Sequence, residues 1–140
     1  MQAMGEGTVI EAATGQRYVI ERPRLTKLLD DSNARIILLL APAGYGKTTL
    51  ARQWLSQGGR RAAWYRTTAA SGDVAALAAD VAHLIDPHIE GVEKTLLRHL
   101  RALPAPSVEA RALGRTLVEA MQPWPSDLWL AIDDYHMMMS

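Results

Sequence analysis

Arg35-Ile-Ile-Leu-Leu-Leu-Ala-Pro-Ala-Gly-Tyr-Gly-Lys-Thr48 is the stretch on which the reading of this chain turns. After its arginine, Arg35–Leu40 is apolar without alternation, the pattern of a strand covered on both faces in a parallel sheet. Ala41–Gly46 reads as a loop. Lys47–Gln57 then shows helical spacing, with Leu50, Trp54 and Leu55 apolar, and Gly58-Gly59 stops it. Strand, glycine loop and amphipathic helix form the context that a phosphate loop requires, and Ala41–Thr48 fits that pattern with alanine in place of its first glycine. Gly44 and Gly46 permit backbone conformations that a side chain would oppose. Successive N–H groups of Gly44, Tyr45, Gly46, Lys47 and Thr48 can therefore turn inward as an anion nest, with Ala43 in the same binding loop. The helix starting near Lys47 adds its positive end. On this reading Lys47 reaches the β- and γ-phosphates, the Thr48 hydroxyl binds Mg²⁺, and Thr49 contacts the α-phosphate through its N–H or hydroxyl. The Tyr45 ring packs outside the loop. The bland alternative, a βα turn with a chance Lys-Thr, does not account for the flanking strand and helix.

A second apolar run, Leu128-Trp-Leu-Ala-Ile132, ends in Asp133-Asp134. In a phosphate-loop domain such a strand is expected beside the one feeding the loop, with its first acid, Asp133, facing the Mg²⁺ held through Thr48. Asp134 is then placed to orient or polarise an attacking water. Taken alone, the pair reads as two solvated acids at a turn; the upstream loop changes that weighting.

Between and around these runs the chain alternates. Pro23 suits a helix start, and Arg24–Asp31 carries Leu25, Leu28 and Leu29 on one face. Arg61–Thr67 is a second strand. Asp73–Ile85 is an alanine-rich helix with Ser71 or Asp73 as cap. Gly91–Leu103 is a further helix, 103–106 a linker, and Ser107–Met121 a helix capped by Ser107 with Glu109 in its first turn. The predicted order, strand, loop, helix, strand, helices, strand, is that of an α/β domain: a P-loop NTPase-type parallel sheet flanked by helices, truncated before the full set of strands. Residues 1–22 read as an N-terminal extension with a short hairpin over Thr8–Glu11 and Arg17–Ile20, and 23–140 as a partial nucleotide-binding domain.

Composition sets the outer limits. The 140 residues are 49% hydrophobic and 21% charged, ordinary globular material sufficient for one core. Fifteen basic and fifteen acidic residues cancel, so nothing calls for nucleic acid or an anionic membrane as a direct partner. The absence of cysteine removes disulfides and thiolate metal sites and fits a cytoplasmic location. No signal peptide is visible and no apolar run is long enough to span a bilayer. His83, His88, His99 and His136 are scattered and suggest no metal site. Trp54, Trp64 and Trp129 read as core or interface aromatics. Arg98, Arg101, Arg111 and Arg115 read as a solvated helix face.

With both motifs in place the chain resembles the N-terminal nucleotide-binding segment of the large ATP-dependent LuxR-type transcriptional regulators, in the signal-transduction class of P-loop ATPases. Four stretches carry the resemblance: Arg22-Pro-Arg-Leu25, Ala41-Pro-Ala-Gly-Tyr-Gly-Lys-Thr-Thr-Leu50 with Gln53-Trp54, Ala63-Trp-Tyr65, and Ile132-Asp-Asp-Tyr-His136. The resemblance implies an ATP/ADP switch: inducer and ATP favour an assembled form, and ADP a resting one, with slow or no hydrolysis by this segment. It also implies that Arg24 or its neighbours approach the adenine or ribose. Partners implied are the nucleotide and the inducer-binding and DNA-binding parts of a longer regulator, with self-association through an open sheet edge a further expectation. One departure concerns the acid that commonly follows the Ala63–Tyr65 strand: Arg66-Thr-Thr-Ala-Ala70 intervenes before Asp73. The alternatives are a P-loop kinase, which needs an acceptor lid and an arginine-rich closing segment after Asp134, and an interaction domain with a degenerate loop, which the intact Lys47, Thr48 and Asp133 disfavour.

Overall fold

The computed structural model describes residues 20–105 and 109–139. Its elements are helix α1 (Pro23–Asp30), helix α2 (Lys47–Leu55), strand β1 (Arg61–Arg66), helix α3 (Val74–Ile85), helix α4 (Val92–Ala102), helix α5 (Ala110–Ala120) and strand β2 (Leu128–Asp133). Short 3₁₀ turns over Ala69–Gly72 and Tyr135–Met139 follow the two strands. The result is a mixed α/β arrangement. Its sheet, among the described residues, has two strands in parallel, paired from Arg61 opposite Leu128 to Arg66 opposite Asp133.

Local chemistry explains most boundaries. Pro23 opens α1, where its missing N–H costs nothing. Gly46, in a left-handed conformation, precedes α2. Asp73 caps α3 by accepting the Ala76 N–H at 2.8 Å. The expected helix at 107–121 forms as Ala110–Ala120 with Glu109 at its N-cap position; the Ser107 cap lies outside the described residues. So does the hairpin expected over 8–20, apart from Ile20.

The core lies where the helical crossover packs onto β1. Ile85, Val92, Leu96 and Leu113, one or two from each of α3, α4 and α5, are fully buried, and Ala63 and Tyr65 meet them from the strand. Tyr65 keeps its hydroxyl satisfied inside this core through the Ser71 hydroxyl at 2.7 Å. α2 covers β2 instead: the Trp54 and Trp129 rings meet edge to face with centroids 4.8 Å apart.

Two expectations need correction. Arg35–Leu40 is not a strand, and β2 pairs with β1 rather than with this run. Ile36, Leu38 and Leu40 are 87%, 70% and 82% exposed, while Ile37 and Leu39 are half-buried. Only Ile37 and Leu39 of the run are thus partly covered by the protein. Apolar character states what a segment gains by burial, but a strand also needs a facing edge to take its N–H and C=O groups. Among the described residues no such ladder forms for 35–40.

Candidate functional site

The site is built where β1, β2 and α2 converge. Gly44 and Gly46 adopt φ of 81° and 77°, left-handed values that L side chains rarely take, so the loop turns sharply just before α2. Thr48, in the first turn of α2, thereby faces the end of β2. Its hydroxyl donates to the Asp133 carboxylate, at 3.0 Å from Oδ1 and 3.1 Å from Oδ2, across 85 residues of sequence. Lys47 folds back over its own loop, its Nζ donating to the Ala41 carbonyl at 2.5 Å and to the Pro42 carbonyl at 3.0 Å. The ammonium of Lys47 therefore sits within the loop that carries it.

The acids after β2 are anchored differently. Asp133 Oδ1 accepts the Asp134 N–H at 3.0 Å. Asp134 itself takes a left-handed φ of 58°, an unusual conformation for a residue with a side chain. The Thr67 hydroxyl donates to the Asp134 carbonyl, and the Thr67 N–H donates to the Asp133 carbonyl at 3.0 Å. The Asp134 carboxylate lies 3.6 Å from the Arg66 guanidinium, an exposed pair. Thr67, buried at the end of β1, thus holds the turn in which Asp134 sits.

The other expected residues divide. Ala43, Gly44 and Thr49 are exposed at the loop and the start of α2, and the Tyr45 ring is exposed as well. Tyr45 N–H closes the turn onto the Pro42 carbonyl at 3.4 Å. Arg24 is exposed on α1, whereas Arg22, two residues earlier, reaches the loop: its Nη1 donates to the Tyr45 carbonyl at 2.9 Å. Arg22, Arg66 and Thr67 were not singled out by sequence reasoning as site residues. The Arg22-Pro-Arg-Leu25 string pointed to the right neighbourhood, but spacing alone does not tell which arginine reaches across.

A Mg²⁺ ion favours hard oxygen donors and is commonly held by one or two protein oxygens together with phosphates and water. The Thr48 hydroxyl and Asp133 carboxylate, converged at one point, fit that chemistry. Among the described residues no group of three or more His, Cys, Asp or Glu side chains forms an all-protein metal site. No helix among them is long and apolar enough to cross a membrane.

At the opposite end of β2 a second polar cluster ties α1, α2 and the sheet. The Trp54 indole donates to Asp30 at 2.8 Å, Arg60 pairs with the same carboxylate, and the Arg60 guanidinium lies 4.3 Å from the Trp54 ring centroid. The Trp54 hydrogen bond, followed by Arg60, holds the Asp30 carboxyl below its ordinary range. Arg61 grips Asp127 through two bonds of 2.6 and 2.9 Å, and this lowers the Asp127 carboxyl and raises the guanidinium. The cluster lines a cavity of about 330 Å³ with Ser32, Gly58 and Ser126. Its charges are already matched, so we read it as structural.

No family model matches the chain, and no solved structure matches it significantly. Among curated proteins it is similar to the HTH-type transcriptional regulator MalT of Cronobacter sakazakii (strain ATCC BAA-894), 31% identical over 123 residues. The match covers 88% of this chain and 13% of the relative, so the chain spans about an eighth of that regulator's length. Over this stretch the chain is similar in sequence to part of an HTH-type transcriptional regulator.

Proposed function

We propose that the chain is the nucleotide-binding switch segment of a LuxR-type transcriptional regulator, taking ADP or ATP with Mg²⁺ on a P-loop NTPase-type domain. The observation that carries this reading is the meeting of the Thr48 hydroxyl and the Asp133 carboxylate at 3.0 Å, beside a loop whose two glycines are left-handed and whose lysine lies over it. The convergence of two motifs 85 residues apart supports reading them as one site.

In this reading the N–H groups of residues 43–49 donate to the phosphate oxygens at the N-terminal end of α2. Lys47 exchanges its bonds to the Ala41 and Pro42 carbonyls for the more strongly charged phosphate oxygens. Thr48 and Asp133 hold Mg²⁺, which neutralises phosphate charge when bound. Asp134 orients water for a slow hydrolysis, from a backbone that Thr67 keeps in place. Inducer recognition and DNA binding fall to the rest of a longer protein, and the segment acts through its nucleotide state in a cytoplasmic regulator. A P-loop kinase is the second reading; only the loop favours it, and the similarity to a transcriptional regulator favours the first.

Calorimetry with Mg-ADP and Mg-ATP tests the proposal. The wild type is expected to bind and Lys47→Ala to lose binding by more than about tenfold, since a charge-assisted contact of this kind contributes about 1.5–3 kcal/mol. A folded wild type that gives no heat, or equal heats from both proteins, overturns it.

A further inference from the structure

Arg22 connects two elements that have no sequence relation. Its backbone is fixed at the start of α1, where its carbonyl accepts the Leu25 N–H at 3.0 Å and the Thr26 N–H at 3.1 Å, with Pro23 next in the chain. Its side chain leaves that anchor and donates from Nη1 to the Tyr45 carbonyl at 2.9 Å, across 23 residues. The guanidinium also lies against Gly46: a Cβ there would come within 3.4 Å of Nη2. That distance is ordinary van der Waals contact, so it is the left-handed φ of 77° that calls for glycine at 46.

The bond has a consequence through the geometry of the peptide. The Tyr45–Gly46 unit is planar, and in a trans peptide the C=O and N–H point in opposite directions. Holding the Tyr45 carbonyl toward α1 therefore aims the Gly46 N–H the other way. A cationic donor on the carbonyl also polarises the peptide and strengthens that N–H as a donor. This peptide turns through ψ of Tyr45 and φ of Gly46, and glycine at 46 leaves that φ permissive, so without such a hold it can rotate.

We propose that Arg22 is a positioning residue of the phosphate loop: by holding the Tyr45 carbonyl it aims the Gly46 N–H at the β-phosphate of a bound nucleoside di- or triphosphate. The inference rests on the nucleotide-binding reading for its ligand, but not for the hold itself. It also makes α1 a handle on the loop, since any displacement of the helix start releases the Tyr45 carbonyl.

The test compares wild type, Arg22→Ala, Arg22→Lys and the exposed α1 control Lys27→Ala. Amide exchange of residues 43–48 without nucleotide reads the hold directly. Calorimetry with ADP and with AMP reads its effect on the β-phosphate, and added methylguanidinium reads chemical rescue. The expected result for Arg22→Ala is exchange at Gly46 faster by about tenfold, ADP binding weaker by about tenfold and AMP binding nearly unchanged, with methylguanidinium restoring part of the loss. Arg22→Lys should fall between, and Lys27→Ala should match the wild type. Exchange and ADP affinity of Arg22→Ala within twofold of wild type overturn the proposal, as does an equal loss for AMP. If Arg22→Ala does not fold, Arg22→Lys is judged by the same criteria. A folded wild type that binds no ADP overturns the nucleotide reading instead, and the exchange measurement then decides whether Arg22 holds the loop.

Discussion

The two ends of β2 carry the same kind of residue to different effect. At the Leu128 end, Asp30 and Asp127 are met by the guanidinium groups of Arg60 and Arg61, with Trp54 and Trp129 packed beside them. At the Asp133 end the carboxylate is met by the Thr48 hydroxyl and the Asp134 N–H. Guanidinium partners neutralise a carboxylate and close it to further ligands, while a hydroxyl and an amide leave its charge in place. One helix, α2, spans both ends, so the matched cluster holds the helix while its first turn presents Lys47 and Thr48. On the proposed nucleotide-binding reading, stability and ligand recognition are thereby separated along one strand.

Variants at each end should break that division if it is wrong. The largest expected effect is at the matched end. Trp54 is buried against Trp129, and Trp54→Ala should cost about 3–5 kcal/mol in denaturant unfolding. A loss much below 1 kcal/mol would show that α2 is held from elsewhere. Asp133→Ala should do the reverse, leaving the melting temperature near wild type and removing most of the Mg²⁺ dependence of ADP binding, about tenfold in affinity. A melting temperature that collapses as it does for Trp54→Ala would make Asp133 a structural residue like Asp30.

The pH dependence sharpens the comparison further. The Asp30 carboxyl is lowered from 3.8 in the folded protein, chiefly by the Trp54 hydrogen bond, so the unfolded chain takes up its proton first as the pH falls. Its stabilising contribution is therefore complete above about pH 5 and is lost as the pH falls through the folded value below 3.8. Asp30→Asn should flatten the acid limb of a melting-temperature profile, and an unchanged slope below pH 4 would show that the pair adds nothing there. The smallest effect is expected from Thr48→Ser, which keeps the hydroxyl and should bind Mg-ADP within about threefold of wild type, a difference under 1 kcal/mol. A loss equal to that of Asp133→Ala would mean that the threonine methyl, rather than its oxygen, matters.

Much of this was legible from residue order. The helices at 23–30, 47–55, 74–85 and 92–102 follow apolar spacing, and their starts follow Pro23, Gly46, Asp73 and Gly91. The 61–66 and 128–133 strands were likewise visible in their apolar runs. Arg35–Leu40 read as a strand covered on both faces and forms none, because a strand depends on a partner edge that its own residues do not supply. Within the site, Lys47, Thr48 and Asp133 stood out by motif. Arg22 and Thr67 did not, because each acts on a backbone carbonyl far along the chain, and such a bond leaves no pattern in side-chain type.

The sequence by itself determined the glycine positions that let the loop turn, the lysine and threonine that follow it, and the acids that end an apolar run. These are local properties of dihedral freedom, side-chain chemistry and spacing. Only the tertiary structure decided that Thr48 meets Asp133, that β2 pairs with β1 and leaves 35–40 without a ladder, and that Arg22 rather than Arg24 reaches the loop. Each of those outcomes depends on how whole elements pack against one another, and a difference of a few ångströms in that packing selects one arginine and passes over its neighbour.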